Sequence, residues 1–132
     1  MAERMQPKRI LVVEDDDVAR ELMRMALENE GYSVSVAEDG RQGYEAALAL
    51  RPDLIVTDVN MPTADGVHLV RRIRETEAIA ETPILVITGY GTGRATLTLA
   101  QGADAYEPKP IDSHGLLITV RRLLEEAKER RR

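Results

Sequence analysis

Ile10-Leu11-Val12-Val13-Glu14-Asp15-Asp16-Asp17 passes without a break from four apolar residues to four acids. A short apolar run of this kind reads as a strand buried on both faces. Leu54-Ile55-Val56-Thr57 repeats the pattern and delivers Asp58, followed by Val59-Asn60-Met61-Pro62. If these two strands are neighbours, Glu14, Asp15 and Asp58 meet in one cleft at the strand ends.

Working outward, strand and helix signals alternate along the whole chain. An amphipathic stretch from Val18 to Asn29 follows the first strand, with Val18, Leu22, Met25 and Ala26 on one face and Gly31 as its stop. Ser33–Ala37 reads as a second strand, and Gln42–Leu50 as a second helix ended by Arg51-Pro52. After the third strand, Leu54–Thr57, a helix is expected from Gly66 to Glu75 with Val67, Val70 and Ile73 inward. Pro83 opens a fourth strand, Ile84–Ile87. Gly89, Gly91 and Gly93 lead into a weak fourth helix near Arg94–Gln101, whose Thr96 and Thr98 lower its propensity. Ala103–Tyr106 is a short fifth strand. Asp112 or Ser113 caps a fifth helix with Leu116, Val120, Leu123 and Leu124 inward.

This alternation implies an α/β fold, a doubly wound (βα)5 unit with five parallel strands and helices on both faces. Strands one, three and four are continuously apolar and belong in the centre. Strand two alternates and strand five is partly polar, so both belong at edges. The order 2-1-3-4-5 satisfies these constraints and places strands one and three side by side. Ligands in such sheets bind beyond the strand C-termini, where the winding reverses.

The bulk properties agree with one domain. The chain has 132 residues, enough to bury roughly two thirds of its unfolded surface without staples. Residues 1–7 are expected to be a tail, 8–126 the domain, and 127–132 a basic helix end or tail. No cysteine is present, which excludes disulfides and thiolate metal sites. No segment approaches the roughly 18 apolar residues of a membrane span, and the polar, basic N-terminus is not a signal peptide. A cytoplasmic protein without membrane contact is expected. The net charge of −5 argues against nucleic acid as a direct partner.

Three carboxylates in a partly buried cleft cannot all stay ionised without a counterion. Oxygen donors of this kind suit a hard cation such as Mg2+. Asp15 and Asp58 would ligate directly, Glu14 through water, and the backbone carbonyl of Asn60 could supply a third protein oxygen. Asp16 and Asp17 are better placed as helix caps. Thr88, ending the fourth strand, and Lys109, following the fifth, fall on the same rim. One supplies a hydroxyl donor and the other a point positive charge for phosphate oxygens. His68 and His114 have no second ligand at metal spacing and read as surface or core-edge residues. Arg71, Arg72 and Arg74 read as a solvated helix face, and Met23 and Met25 as packing residues.

Val13-Glu14-Asp15, Thr57-Asp58-Val59-Asn60-Met61-Pro62 with Asp65-Gly66, Ile87-Thr88-Gly89 and Lys109-Pro110 together resemble the receiver domain of two-component response regulators. The resemblance spans roughly residues 8 to 125 and is to a chemotaxis-receiver-like domain. It implies a flavodoxin-like fold and a phosphoacceptor role for Asp58, charged from the phosphohistidine of a sensor histidine kinase or a phosphotransfer protein. It implies Mg2+ held by Glu14 and Asp15, Lys109 pairing with the phosphate, Thr88 closing onto it, and Tyr106 as the switch aromatic. The signalling face would comprise the fourth helix, fifth strand and fifth helix. It would act on an effector protein or an output domain removed from this chain, as a monomer or a phosphorylation-dependent dimer. Turnover would be limited to self-catalysed phosphorylation and dephosphorylation. A cis Lys109-Pro110 bond is also implied. Pro108 before Lys109, and Gly89 in place of the more usual alanine, depart from the family pattern. Two alternatives remain: a Mg2+-dependent phosphatase with an aspartyl nucleophile, which Asn60 disfavours because such enzymes place an acid there, and an unphosphorylated pseudo-receiver scaffold.

Overall fold

A computed structural model describes residues 6–59, 66–89 and 98–130. Its strands are β1 (Arg9–Val13), β2 (Ser33–Ala37), β3 (Leu54–Asp58), β4 (Ile84–Thr88) and β5 (Ala105–Pro108). The helices are α1 (Asp17–Asn29), α2 (Gly40–Leu50), α3 (Gly66–Arg74), the helical residues 98–100 (α4), and α5 (Ser113–Arg130), with one 3-10 turn at Glu77–Ile79. All five strands are parallel in the order β2-β1-β3-β4-β5, as expected from their burial chemistry.

Successive residues of a strand face opposite sides, which splits the core in two. Leu11, Val13, Ile55, Ile84 and Val86 pack with α2 and α3. Ile10, Val12, Leu54, Val56, Leu85 and Ile87 pack with α1 and α5. Every residue of β3 and β4 is buried, so the three central strands cannot shift register without exposing apolar surface.

Local chemistry fixes the helix ends. Asp16 caps α1, its carboxylate accepting from the Ala19 N–H at 2.8 Å, and Asp39 caps α2 through the Gln42 N–H at 2.8 Å. Asp112, not Ser113, caps α5, accepting from the Gly115 N–H at 3.3 Å. Gly31, at φ 97°, ends α1 in a conformation that favours glycine. The Lys109-Pro110 bond is cis.

Several expectations need correction. In α1, Val18, Leu22 and Met25 do not face the sheet; they are 67%, 61% and 54% exposed, and the buried positions are Met23 and Leu27. β5 begins and ends two residues later than expected, because Glu107 and Pro108 pair with Ile87 and Thr88 at the sheet edge. Proline is tolerated there. In α3 the inward set includes Leu69, while Val67 is only partly buried against the core. Arg74 is no part of a solvated face. Its guanidinium donates to the carbonyls of Gly102, Ala80 and Thr82 at 2.9, 3.0 and 2.7 Å and to Asp104 Oδ2 at 2.8 Å. It thereby ties the end of α3 to the entries of β4 and β5. Arg72 stacks over the Tyr44 ring, 3.8 Å from its centroid. His68 and His114 are both exposed.

Asn60, Met61, Pro62 and Asp65, together with Tyr90, Gly91, Gly93 and the first residues of the expected fourth helix, lie outside the described residues. No helix among the described residues is long and apolar enough to cross a membrane.

Candidate functional site

β1 and β3 are direct neighbours, with Val13 paired to Thr57, so the residues that follow emerge together at one end of the sheet. Glu14 continues β1, donating its N–H to the Ala37 carbonyl of β2 at 3.0 Å. Asp58 is the last residue of β3. Oxygens of Glu14, Asp15 and Asp58 all lie within 4.8 Å of one another. The two strand-end acids are almost wholly buried, Glu14 at 0% and Asp58 at 1% exposure, whereas Asp15 faces solvent.

Lys109 reaches the cluster from the loop after β5. Its Nζ donates to Asp58 Oδ2 at 3.0 Å and lies 3.5 Å from Glu14 Oε1. Thr88 is buried at the end of β4, opposite Pro108, and its carbonyl accepts from the Lys109 N–H at 2.8 Å. The rim residues expected from the sequence, Glu14, Asp15, Asp58, Thr88 and Lys109, therefore stand together. Tyr106 sits on β5, paired with Val86, and is 43% exposed.

The electrostatics show what the cluster lacks. Burial pushes the Glu14 carboxyl up to about 7, and the neighbouring Asp58 charge adds to the rise against the Asp16 N–H bond and Lys109. The Lys109 ammonium is partly buried, which alone would lower it. Its hydrogen bond to Asp58 and the charges of Asp58 and Glu14 outweigh that and raise it. Among the described residues, one ammonium thus contacts this group of three acids, through Glu14 and Asp58. Glu14 Oε2 accepts from the Asp16 N–H at 3.1 Å, while Oε1 is buried without a hydrogen bond. The Lys109 ammonium 3.5 Å away offsets part of that deficit without supplying a hydrogen bond.

The donor set fits a small hard cation. Oxygens bound to Mg2+ at 2.0–2.1 Å stand about 3–4 Å apart, a range that falls within the 4.8 Å limit that holds these three acids together, and such ions keep several waters. An exposed Asp15 beside two buried acids provides an entry side, and an ion there would satisfy the orphaned oxygen.

Two residues here were given no role at the site from the sequence. A Cβ on Gly66 would come within 2.4 Å of the Asp58 carbonyl oxygen, so glycine lets α3 start against the site. In sequence it stood as the start of the third helix and in the Asp65-Gly66 motif, without a packing role of its own. Arg20, on the first turns of α1, donates from Nη1 to the Glu14 carbonyl at 2.9 Å. Its only sequence signal is its spacing of three from Asp17.

The family profile described as "Response regulator receiver domain" matches residues 10–121. The "Response regulator MprA" of Mycolicibacterium vanbaalenii is 43% identical over 119 residues, covering 89% of this chain and 51% of that protein. The "DNA-binding dual master transcriptional regulator RpaA" of Synechocystis is 38% identical over 117 residues, covering 88% and 48%. The chain spans about half the length of these curated relatives. Among solved structures, the Vibrio cholerae chemotaxis protein CheY4 superposes with a TM-score of 0.85 at 32% identity, covering 89% of this chain and 99% of that one.

Proposed function

The chain belongs to the response regulator receiver family of two-component signalling, whose general mechanism is phosphorylation of an aspartate with Mg2+, and on that premise we propose that Asp58 is its phosphoacceptor. The observation that carries this assignment is the 3.0 Å contact of Lys109 with Asp58 inside the cluster of three acids. Of the two buried acids, Asp58 makes the closer contact with Lys109, the only lysine on the rim among the described residues, at 3.0 Å against 3.5 Å for Glu14.

In the proposed reaction a carboxylate oxygen of Asp58 attacks the phosphorus of a phosphohistidine. The new O–P bond forms as the P–N bond breaks, and the imidazole leaves to be protonated. Asp15 and Asp58 would hold Mg2+ directly and Glu14 through water, with the Asn60 carbonyl proposed as a further oxygen, and the ion would supply neutralising charge for the transfer. Lys109 already bridges Asp58 and Glu14, and follows the added charge onto the phosphoryl oxygens. Preorganised charge of this kind carries most of such a transition state. The product brings about −1.5 to −2 charge to the end of β3. Thr88, buried on the neighbouring strand, gains an anionic acceptor for its hydroxyl. That contact exists only in the phosphorylated state, so it can bias a two-state equilibrium in which Tyr106 turns inward.

The family members are generally not classical enzymes, and self-catalysed transfer and hydrolysis are the turnover proposed here. The partners are a sensor histidine kinase or phosphotransfer protein as donor. The effector or output domain is reached through α4, β5 and α5. An aspartyl phosphatase is disfavoured by the amide at Asn60, where that chemistry needs an acid.

The test is chemical. Incubated with Mg2+ and acetyl phosphate, the protein gains one acid-stable, base-labile phosphate, and Asp58→Asn abolishes it. Full labelling of that variant rules out the nucleophile, and sustained turnover of phosphate monoesters favours the phosphatase.

A further inference from the structure

Arg20 lies next to the cluster of acids but touches none of its three carboxylates. Its side chain is only 15% exposed, unusual for an arginine on the outer end of a helix. Nη1 donates to the main-chain carbonyl of Glu14 at 2.9 Å, and Nη2 to Asp17 Oδ1 at 2.5 Å. The fork thus joins the last residue before the turn to the first turn of α1.

The carbonyl it holds belongs to the peptide between Glu14 and Asp15. Fixing that oxygen fixes the plane of the peptide, and with it the direction in which Asp15 leaves the strand. The other ties on this segment act elsewhere. The Glu14 N–H is bound to Ala37, and the Glu14 carboxylate accepts from Asp16. Neither restrains the Glu14–Asp15 peptide from the carbonyl side. Asp15 is the exposed member of the cluster and has the least packing to keep it aimed.

We infer that Arg20 is a positioning residue for the divalent-cation site, setting the Glu14–Asp15 peptide so that Asp15 points at Glu14 and Asp58. This rests on the cation site proposed above. Its consequence has a sign that charge alone does not give. Arg20 is a cation near a cation site, and removing it leaves Asp17 negative and unpaired. On electrostatics alone, Arg20→Gln tightens Mg2+ binding. As a positioning residue, its loss weakens binding, by about tenfold on the scale of outer-shell partners of metal ligands.

The experiment is an Mg2+ titration of the wild type, Arg20→Gln and Arg20→Lys, followed by amide chemical shifts, with melting temperatures in EDTA. The expected result is a dissociation constant raised about tenfold in Arg20→Gln. Arg20→Lys is also weakened, because one ammonium keeps the charge but cannot reproduce the two-armed grip. An affinity in Arg20→Gln that is unchanged or tighter overturns the inference, even if the variant melts lower, since that is the mark of a merely structural arginine. If Arg20→Gln does not fold, wild-type affinity in Arg20→Lys overturns it equally. Absence of saturable Mg2+ binding by the wild type overturns the cation site itself and the inference with it.

Discussion

Lys109 places its ammonium 3.0 Å from Asp58 Oδ2, and this contact crosses from the edge of the sheet to its centre. The two residues are 51 apart in sequence, and β4 lies between β3, which ends at Asp58, and β5, which ends just before Lys109. The lysine therefore does two things in the absence of phosphate. It holds the proposed nucleophile, and it supplies part of the positive charge that three clustered acids need.

Removing that charge has a predictable effect. Lys109→Met leaves Glu14 and Asp58 buried without their cation, and the protein loses stability in EDTA by about 1–3 kcal/mol. This lies below the range for a fully buried pair because the lysine is partly solvated. Mg2+ recovers most of the loss and binds tighter than to the wild type, since its competitor is gone. Urea denaturation with and without Mg2+ reads both effects. Equal stability of variant and wild type in EDTA rejects the role given to the lysine.

Glu14 gives the apo protein an inverted pH dependence. Its folded carboxyl titrates at about 7, against 4.5 when free. Between these values the folded chain keeps a proton that the unfolded chain has released, so stability falls as pH rises through the window. Above about 7 both states are ionised and the penalty is constant, at most about 3 kcal/mol. Glu14→Gln removes this slope, and in EDTA the difference between wild type and variant should grow from pH 4.5 to 7. A flat difference would show that Glu14 is not held protonated by its burial.

Gly66→Ala tests the contact between α3 and the end of β3. The new methyl would stand 2.4 Å from the Asp58 carbonyl oxygen and 2.8 Å from Val59 Cα, both backbone atoms that cannot yield. The expected cost is about 1–3 kcal/mol or more, measured by chemical denaturation, with phosphorylation from acetyl phosphate slowed as well. An unperturbed midpoint means that α3 shifts freely.

Val18→Gln with Leu22→Gln tests the corrected face of α1. Both side chains are mostly exposed, so each change should alter stability by no more than about 0.5 kcal/mol. Met23→Ala, on the buried side, should cost about 2–5 kcal/mol. The reverse ranking restores the face first read from the sequence.

The legible parts of the fold share a cause. β1, β3 and β4 are covered on both sides, so their burial is written as unbroken apolar runs, and their order followed from that contrast with β2 and β5. The cleft was legible because its acids sit directly at the ends of those runs. α1 was misread because it carries two overlapping apolar stripes. Val18, Leu22 and Met25 keep helical spacing as well as Ala19, Met23, Ala26 and Leu27 do, and spacing alone does not tell which one meets the sheet. The end of β5 was hidden because Glu107 and Pro108 are poor strand formers tolerated at an edge. Arg74 and Arg20 were missed because, beside one carboxylate each, they hold main-chain carbonyls, which every residue possesses and no sequence pattern marks.

The amide of Lys109 is clipped to the carbonyl of Thr88 just where β4 and β5 end. Two side chains proposed to grip the same phosphoryl group are thus mounted on one stationary ladder. On the proposed reading, a signal leaving the pocket along these strands would be torsional. Thr88 and Tyr106 would answer by swivelling about their own χ1 bonds while the rungs beneath them stay put, so spectra of the activated form should show rotamer exchange at both positions with the β4 and β5 amide couplings intact.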